Sequence, residues 1–196
     1  MTELVGIVGS VNQASKTRAA VEIALEEAAT DKDASTSVLH LAEYDMVTPD
    51  GRPLEDYEGD TAAVLERIVE SDAYVIGTPV YRASYSGALK NLLDMVPRGK
   101  WMADVAPFEN AAIGLVATGA TPHHFLTVDT VLRPLMGFFG SYAAGGVYAH
   151  DGHFDDERKV TDDDVRKRLS RLGAGTVELQ RAIEESHHLS ALGPQV

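Results

Sequence analysis

Short apolar runs alternate along the chain with stretches whose apolar residues recur every three to four positions, the signature of strands separated by helices. Residues 4–9 are a compact apolar run stopped by Gly9-Ser10, which predicts a buried first strand. Residues 16–29 place Ala20, Ile23 and Ala24 at helical spacing, and residues 37–41 read as a second strand. After a polar loop with Pro49, Gly51, Pro53 and Gly59, residues 61–71 carry Val64, Leu65, Ile68 and Val69 on one helical face. Residues 73–77 are a third strand that runs straight into Thr78-Pro79. Residues 86–96 form a third helix, with Leu89, Leu92, Leu93 and Val96 at i, i+3, i+4 and i+7. A fourth strand spans 111–117, a long helical segment runs from Pro122 to Phe139 with Pro134 inside it, and a fifth strand spans 143–148. Val165, Leu169, Leu172, Leu179 and Ile183 stripe a last helix. The alternation predicts an α/β fold: a doubly wound, five-stranded parallel sheet of order 2-1-3-4-5 between two helical layers. Residues 1–185 are expected to form one domain and residues 186–196 a frayed tail.

In such a sheet ligands bind beyond the carboxyl ends of the strands, where the strand order reverses. Three loops follow from this, after Gly9, after Gly77 and after Ala117. The first, Gly9-Ser10-Val11-Asn12-Gln13-Ala14-Ser15-Lys16-Thr17-Arg18, leads a strand into a helix start, whose free N–H groups and positive dipole end suit a phosphate. Ser10, Ser15 and Thr17 add hydroxyls, and Lys16 or Arg18 adds charge; Ser15 or Thr17 also reads as a simple helix cap. Neither G-x-G-x-x-G nor G-x-x-x-x-G-K-[ST] is present, which excludes the dinucleotide fingerprint and the P-loop. The second loop, from Thr78-Pro79 to Gly87, offers backbone amides, hydroxyls and an aromatic ring to a flat heterocycle, with Gly87 expected to allow close approach.

Composition narrows the partners. The 196 residues carry 30 acidic and 17 basic side chains, a net charge of −13, which repels nucleic acid and anionic membranes. The excess acid fits either adaptation to a salt-rich habitat or an ordinary acidic cytoplasmic protein. With no cysteine there is neither a disulfide nor a thiolate site. The opening MTELVGIVGS has no basic stretch ahead of a long apolar run, so neither a signal peptide nor a membrane span is expected. The histidine pairs His123/His124 and His150/His153 lack the spacing of a metal site.

TPVYRASYSGALKNLLD, the GS…SKT loop, and ATGATPHHF followed by VLRPL together resemble the NADPH-dependent FMN reductase family, from about residue 4 to about residue 150. The resemblance implies a flavodoxin-like fold that binds FMN and NAD(P)H. Ser10, Ser15, Lys16 and Thr17 would hold the phosphate, with Asn12 in the same loop. Pro79, Val80, Tyr81, Arg82 and Ser84 would flank the ring and ribityl chain, and Thr118, Gly119 and Ala120 would close the far side. The family often has an arginine at the place of Asn12 and a glycine at that of Ala120, and its sulfonate-scavenging subgroup has a tyrosine at that of Thr130.

Hydride transfer is chemistry of the cofactors, so no catalytic residue is singled out. The reduced FMN would either leave for a partner monooxygenase or stay bound to reduce quinones, azo dyes or metal ions. The alternative is a flavodoxin-like electron carrier without NAD(P)H activity. Apolar residues on nearly every side of the segment between Pro122 and Phe139 predict a homodimer or homotetramer interface. Trp101, with Met102, is expected to cover a neighbouring subunit's flavin.

Overall fold

A computed structural model describes residues 1–99 and 103–192 of the chain. Five strands, β1 (Thr2–Val8), β2 (Ala34–His40), β3 (Ala73–Pro79), β4 (Ala112–Gly119) and β5 (Tyr142–His150), form one parallel sheet of order β2-β1-β3-β4-β5. The expected topology is the one observed. The apolar runs read as β1, β3 and β4 are the inner strands, and their near-continuous burial follows from cover on both faces. β2 begins at Ala34, ahead of its apolar stretch, because Ser35, Thr36 and Ser37 pair with Glu3, Leu4 and Val5 at the sheet's edge. Backbone pairing there needs no apolar side chain.

Helices α1 (Lys16–Ala28) and α5 (Asp163–Glu185) cover one face, sharing a core with Leu4, Val8, Val75 and Val116. Helices α2 (Gly59–Val69), α3 (Gly87–Leu93) and α4 (Arg133–Phe138) cover the other, over Val5, Ile7, Ile76, Ile113 and Leu115. Alternate residues of each inner strand thus feed opposite cores, as the pleat requires. Gly173 of α5 lies against the backbone of Ala24 in α1, and a Cβ there would collide with the Ala24 carbonyl.

Two segments carry detail that periodicity does not give. The helical segment between Pro122 and Phe139, expected to be interrupted by Pro134, is three pieces: a 3-10 turn at Pro122–His124, a π-helical turn at Val128–Leu132, and α4. Pro134 has no N–H and its ring would press on the carbonyl four residues back, so the chain widens just before it, with Arg133 N–H donating to the Val128 carbonyl. Leu189–Ala191 is a 3-10 turn whose carbonyls accept from Tyr142 Oη at 2.8 Å (at Leu189) and from Asn110 Nδ2 at 3.1 Å (at Ser190). Long-range side-chain donors, invisible to local periodicity, tie it down.

Candidate functional site

Strands β1, β3 and β4 end nearly level, with Val8 beside Gly77 and Pro79 beside Thr118. The loops that leave them enclose an open cavity of about 390 Å³, within the range of small-ligand sites. Ser10, Asn12, Ser15, Lys16 and Thr17 line one end, and Pro79, Val80, Tyr81, Thr118, Gly119 and Ala120 the other. The fold therefore brings together nearly all the residues singled out in the sequence.

The loop after β1 is shaped by its own side chains. Ser10 Oγ accepts from Asn12 N–H at 3.2 Å, and Asn12 Oδ1 accepts from Ala14 N–H at 3.1 Å. Ser15 is the helix cap, accepting from Arg18 N–H at 3.2 Å while its hydroxyl proton stays free for a ligand. Arg18 turns away from the cavity to Glu22 and Glu43, both at 2.7 Å, so Lys16 is the cation this loop contributes. Gly9 is the point of close approach. Its N–H donates to Gly77 O at 2.7 Å, and a Cβ on it would come within 2.8 Å of the Leu89 Cβ. Gly87, by contrast, has open space around it.

Behind this loop His40 ends β2 fully buried, its Nε2 without a partner and its Nδ1 3.4 Å from the Arg18 guanidinium. Burial, and then the nearby Arg18 charge, hold its pKa below the ordinary histidine value.

The loop after β3 is pinned at its base. Ser86 N–H donates to Thr78 Oγ1 at 2.9 Å, Ser86 Oγ accepts from Leu89 N–H at 3.0 Å as the cap of α3, and the same hydroxyl donates to Gly9 O. At its tip Tyr81 and Ser84 exchange backbone hydrogen bonds of 2.9 and 3.1 Å across Arg82 and Ala83, whose φ values are 53° and 62°. This is the two-residue turn that favours Asn-Gly, here built from residues with side chains. Arg82 and Ser84, expected beside the ring, do not line this cavity. Tyr81 lines the cavity and is 56% exposed, so one ring face is open to a ligand or a second subunit.

The loop after β4 is tied to the first by Thr17 Oγ1 and Thr118 Oγ1, 2.6 Å apart and buried. Tyr148 of β5 donates its hydroxyl to Thr121 O, and a Cβ on Gly119 would strike that same hydroxyl. Ala120 is exposed on the rim and its methyl group leaves the cavity open. Trp101 and Met102 lie outside the described residues.

Sequence reasoning missed two lining residues that come from beyond β5. Asp151 carries an ion pair to Lys16 at 2.9 Å, and Arg158 lines the same cavity. Asp151 follows a strand end, which was a usable signal; Arg158 sits in the acidic run DDERK with no local mark. The donor set suits FMN: hydroxyls, a helix start and cations at the phosphate end, then proline, a tyrosine face and backbone where a flat ring would lie.

Residues 2–156 match the family described as NADPH-dependent FMN reductase. The chain belongs to this family. A curated NAD(P)H-dependent FAD/FMN reductase of Geobacillus thermodenitrificans is 34% identical over 184 residues, covering 93% of this chain and 95% of its own. An FMN reductase (NADPH) of Pseudomonas aeruginosa is 31% identical over 82% of this chain and 83% of its own. Among solved structures, the apo NADH:FMN oxidoreductase EmoB aligns with a TM-score of 0.75 over 96% of this chain and 94% of that one. At 24% identity that likeness shows the flavodoxin-like fold. The FMN reductase family is one of oxidoreductases, and the fold and recognition expected from the sequence are both met.

Proposed function

We propose that this chain binds FMN in the cavity at the ends of β1, β3 and β4 and passes a hydride to it from NAD(P)H. The observation that carries this reading is the convergence of three loops on one cavity with phosphate-type donors at one end and a flat, largely backbone lining at the other. FMN, when bound, supplies the hydride acceptor. The chain's own work is to hold and exclude. Ser10, Ser15, Lys16 and Thr17 hold the phosphate, with Asn12 shaping their loop. Pro79, Val80 and Tyr81 support the ring from one side, and Thr118, Gly119 and Ala120 bound the other. Tyr81's open face leaves room for the nicotinamide to stack.

Among the described residues no helix is long and apolar enough to cross a membrane, and the reading adopted is a cytoplasmic enzyme. Phe125, Leu126 and Phe138 are each more than half exposed on the segment after β4, which supports a homo-oligomer closing over that face. A relative in Pseudomonas fluorescens named NADH-dependent FMN reductase SfnF, 34% identical over 69% of this chain, supports a nicotinamide nucleotide as the donor.

The test is anaerobic. The protein is saturated with FMN, mixed with NADPH or NADH, and the flavin's visible absorbance followed, with free and bound flavin then separated. Rapid bleaching is the expected result. Binding without bleaching makes the chain an electron carrier, and absence of binding removes the flavin reading altogether.

A further inference from the structure

The phosphate end of the cavity has an unbalanced charge account. Lys16, the cation offered by the loop after β1, is paired with Asp151 at 2.9 Å, so the two together present almost no net charge to a dianion. Arg18 is committed to Glu22 and Glu43, and Asn12, which carries no charge, is bound into its own loop. Hydroxyls and a helix start would face a phosphate with little formal charge behind them.

Arg158 lines the same cavity. It lies in a run rich in carboxylates, yet among the described residues its guanidinium makes no ion pair and no hydrogen bond. The neighbouring acids are used otherwise: Asp155 Oδ1 accepts from Lys159 N–H at 2.8 Å, and Glu157 pairs with Lys159 Nζ at 2.6 Å. Its backbone is held at φ 67°, in the left-handed region that favours glycine. The turn that imposes this is well anchored. Arg158 N–H donates to Asp155 O at 2.9 Å, Asp155 N–H donates to Lys159 O at 3.0 Å, and Phe154 bridges to buried Val160. The guanidinium is thus half-buried and, among the described residues, unpaired beside the cavity. It also lies beyond residue 156, where the family match ends, so the shared pattern does not assign it.

We infer that Arg158 supplies the guanidinium for the FMN phosphate, giving the cavity the net positive charge that the Lys16–Asp151 pair does not. This rests on the FMN reading proposed above. A guanidinium suits the task because its fork matches phosphate oxygens two at a time and restores a net positive charge against Asp151.

The test compares FMN with riboflavin, which lacks the phosphate, by flavin fluorescence quenching on the full chain and on R158G and R158K. Glycine fits the turn, so R158G is expected to melt at or above the parent temperature. Its Kd for FMN should rise ~10- to 100-fold, the range for losing a charge-assisted hydrogen bond, while riboflavin affinity stays within about twofold. The salt dependence of FMN binding should flatten by about one charge, and R158K should recover part of the loss. Equal weakening of FMN and riboflavin, or unchanged FMN affinity in a folded R158G, overturns the assignment while leaving the flavin site in place. A raised KM for NADPH with FMN affinity intact moves Arg158 to the nicotinamide nucleotide and overturns it too. Failure of the parent protein to bind either flavin removes the cavity reading itself, and this inference with it.

Discussion

Asp151 and His40 show how single side chains tune this site from opposite sides. The Asp151 carboxylate holds Lys16 but also sits where a phosphate dianion would arrive. D151N keeps the shape and removes the charge, so FMN should bind ~5-fold tighter, about the worth of one partly screened charge at this range. A titration showing weaker binding would mean that the ion pair positions Lys16 more than it competes. His40 is buried neutral, its pKa depressed by burial and by Arg18. The unfolded chain protonates this imidazole near its usual value of about 6.5, whereas the folded chain resists. Below that pH the unfolded state binds the extra proton, so stability falls as pH drops and is flat for this group above about 7. Melting temperatures from pH 8 to 5 should therefore slope less in H40Q than in the parent; parallel curves would show that His40 is not the source.

Among elements, the turn after β3 holds its strain where it is needed least for burial. Arg82 and Ala83 occupy left-handed positions at 53° and 62°, and L-residues there cost about 1–2 kcal/mol each. Replacing them by Asn-Gly should stabilise the chain by about 1 kcal/mol, a rise of about 2–4 °C in a domain of this size. Because neither side chain lines the cavity, FMN affinity should hold. The loop after β4 shows the reverse dependence, with a glycine demanded by a neighbour. G119A pushes a methyl group into the Tyr148 hydroxyl, which pins Thr121, and should weaken FMN binding. Y148F removes the hydroxyl, so G119A combined with Y148F should bind FMN better than G119A alone. A strictly additive cycle would show that the two residues do not meet.

For the molecule as a whole, the sheet divides labour between its faces. The α1 and α5 face is closed by a helix contact so tight that Gly173 has no room for a Cβ. The α4 face ends in a segment broken by Pro134, with Phe125, Leu126 and Phe138 left outside the core. Regular helix elsewhere buries its apolar stripe; here the break turns part of it outward. Charging this patch with F125E and L126E should shift the protein to smaller species in light scattering with little loss of monomer stability. No shift would remove the proposed subunit contact on this face. The net charge of −13 makes such association easier in salt, where repulsion between subunits is screened.

Local pattern determined the sheet order, the helices and the three loops. The period of apolar residues is set by backbone geometry, and ligand sites in a doubly wound sheet lie at the carboxyl ends of its strands. Ser10, Lys16, Thr17, Pro79, Tyr81 and Thr118 were legible for that reason, each standing within a few residues of a strand's end. The tertiary structure alone decided the rest. Asp151 and Arg158 reach the cavity only because the chain beyond β5 folds back beside α1, and a side chain's direction across that distance leaves no trace in local spacing. Arg82 and Ser84 stand outside the cavity lining, in a turn with two left-handed residues that no glycine announced. The carbonyls of Leu189 and Ser190, beyond the last helix, accept from donors 47 and 80 positions away. Periodicity reports which residues share a face; only packing decides which faces, turns and distant side chains meet.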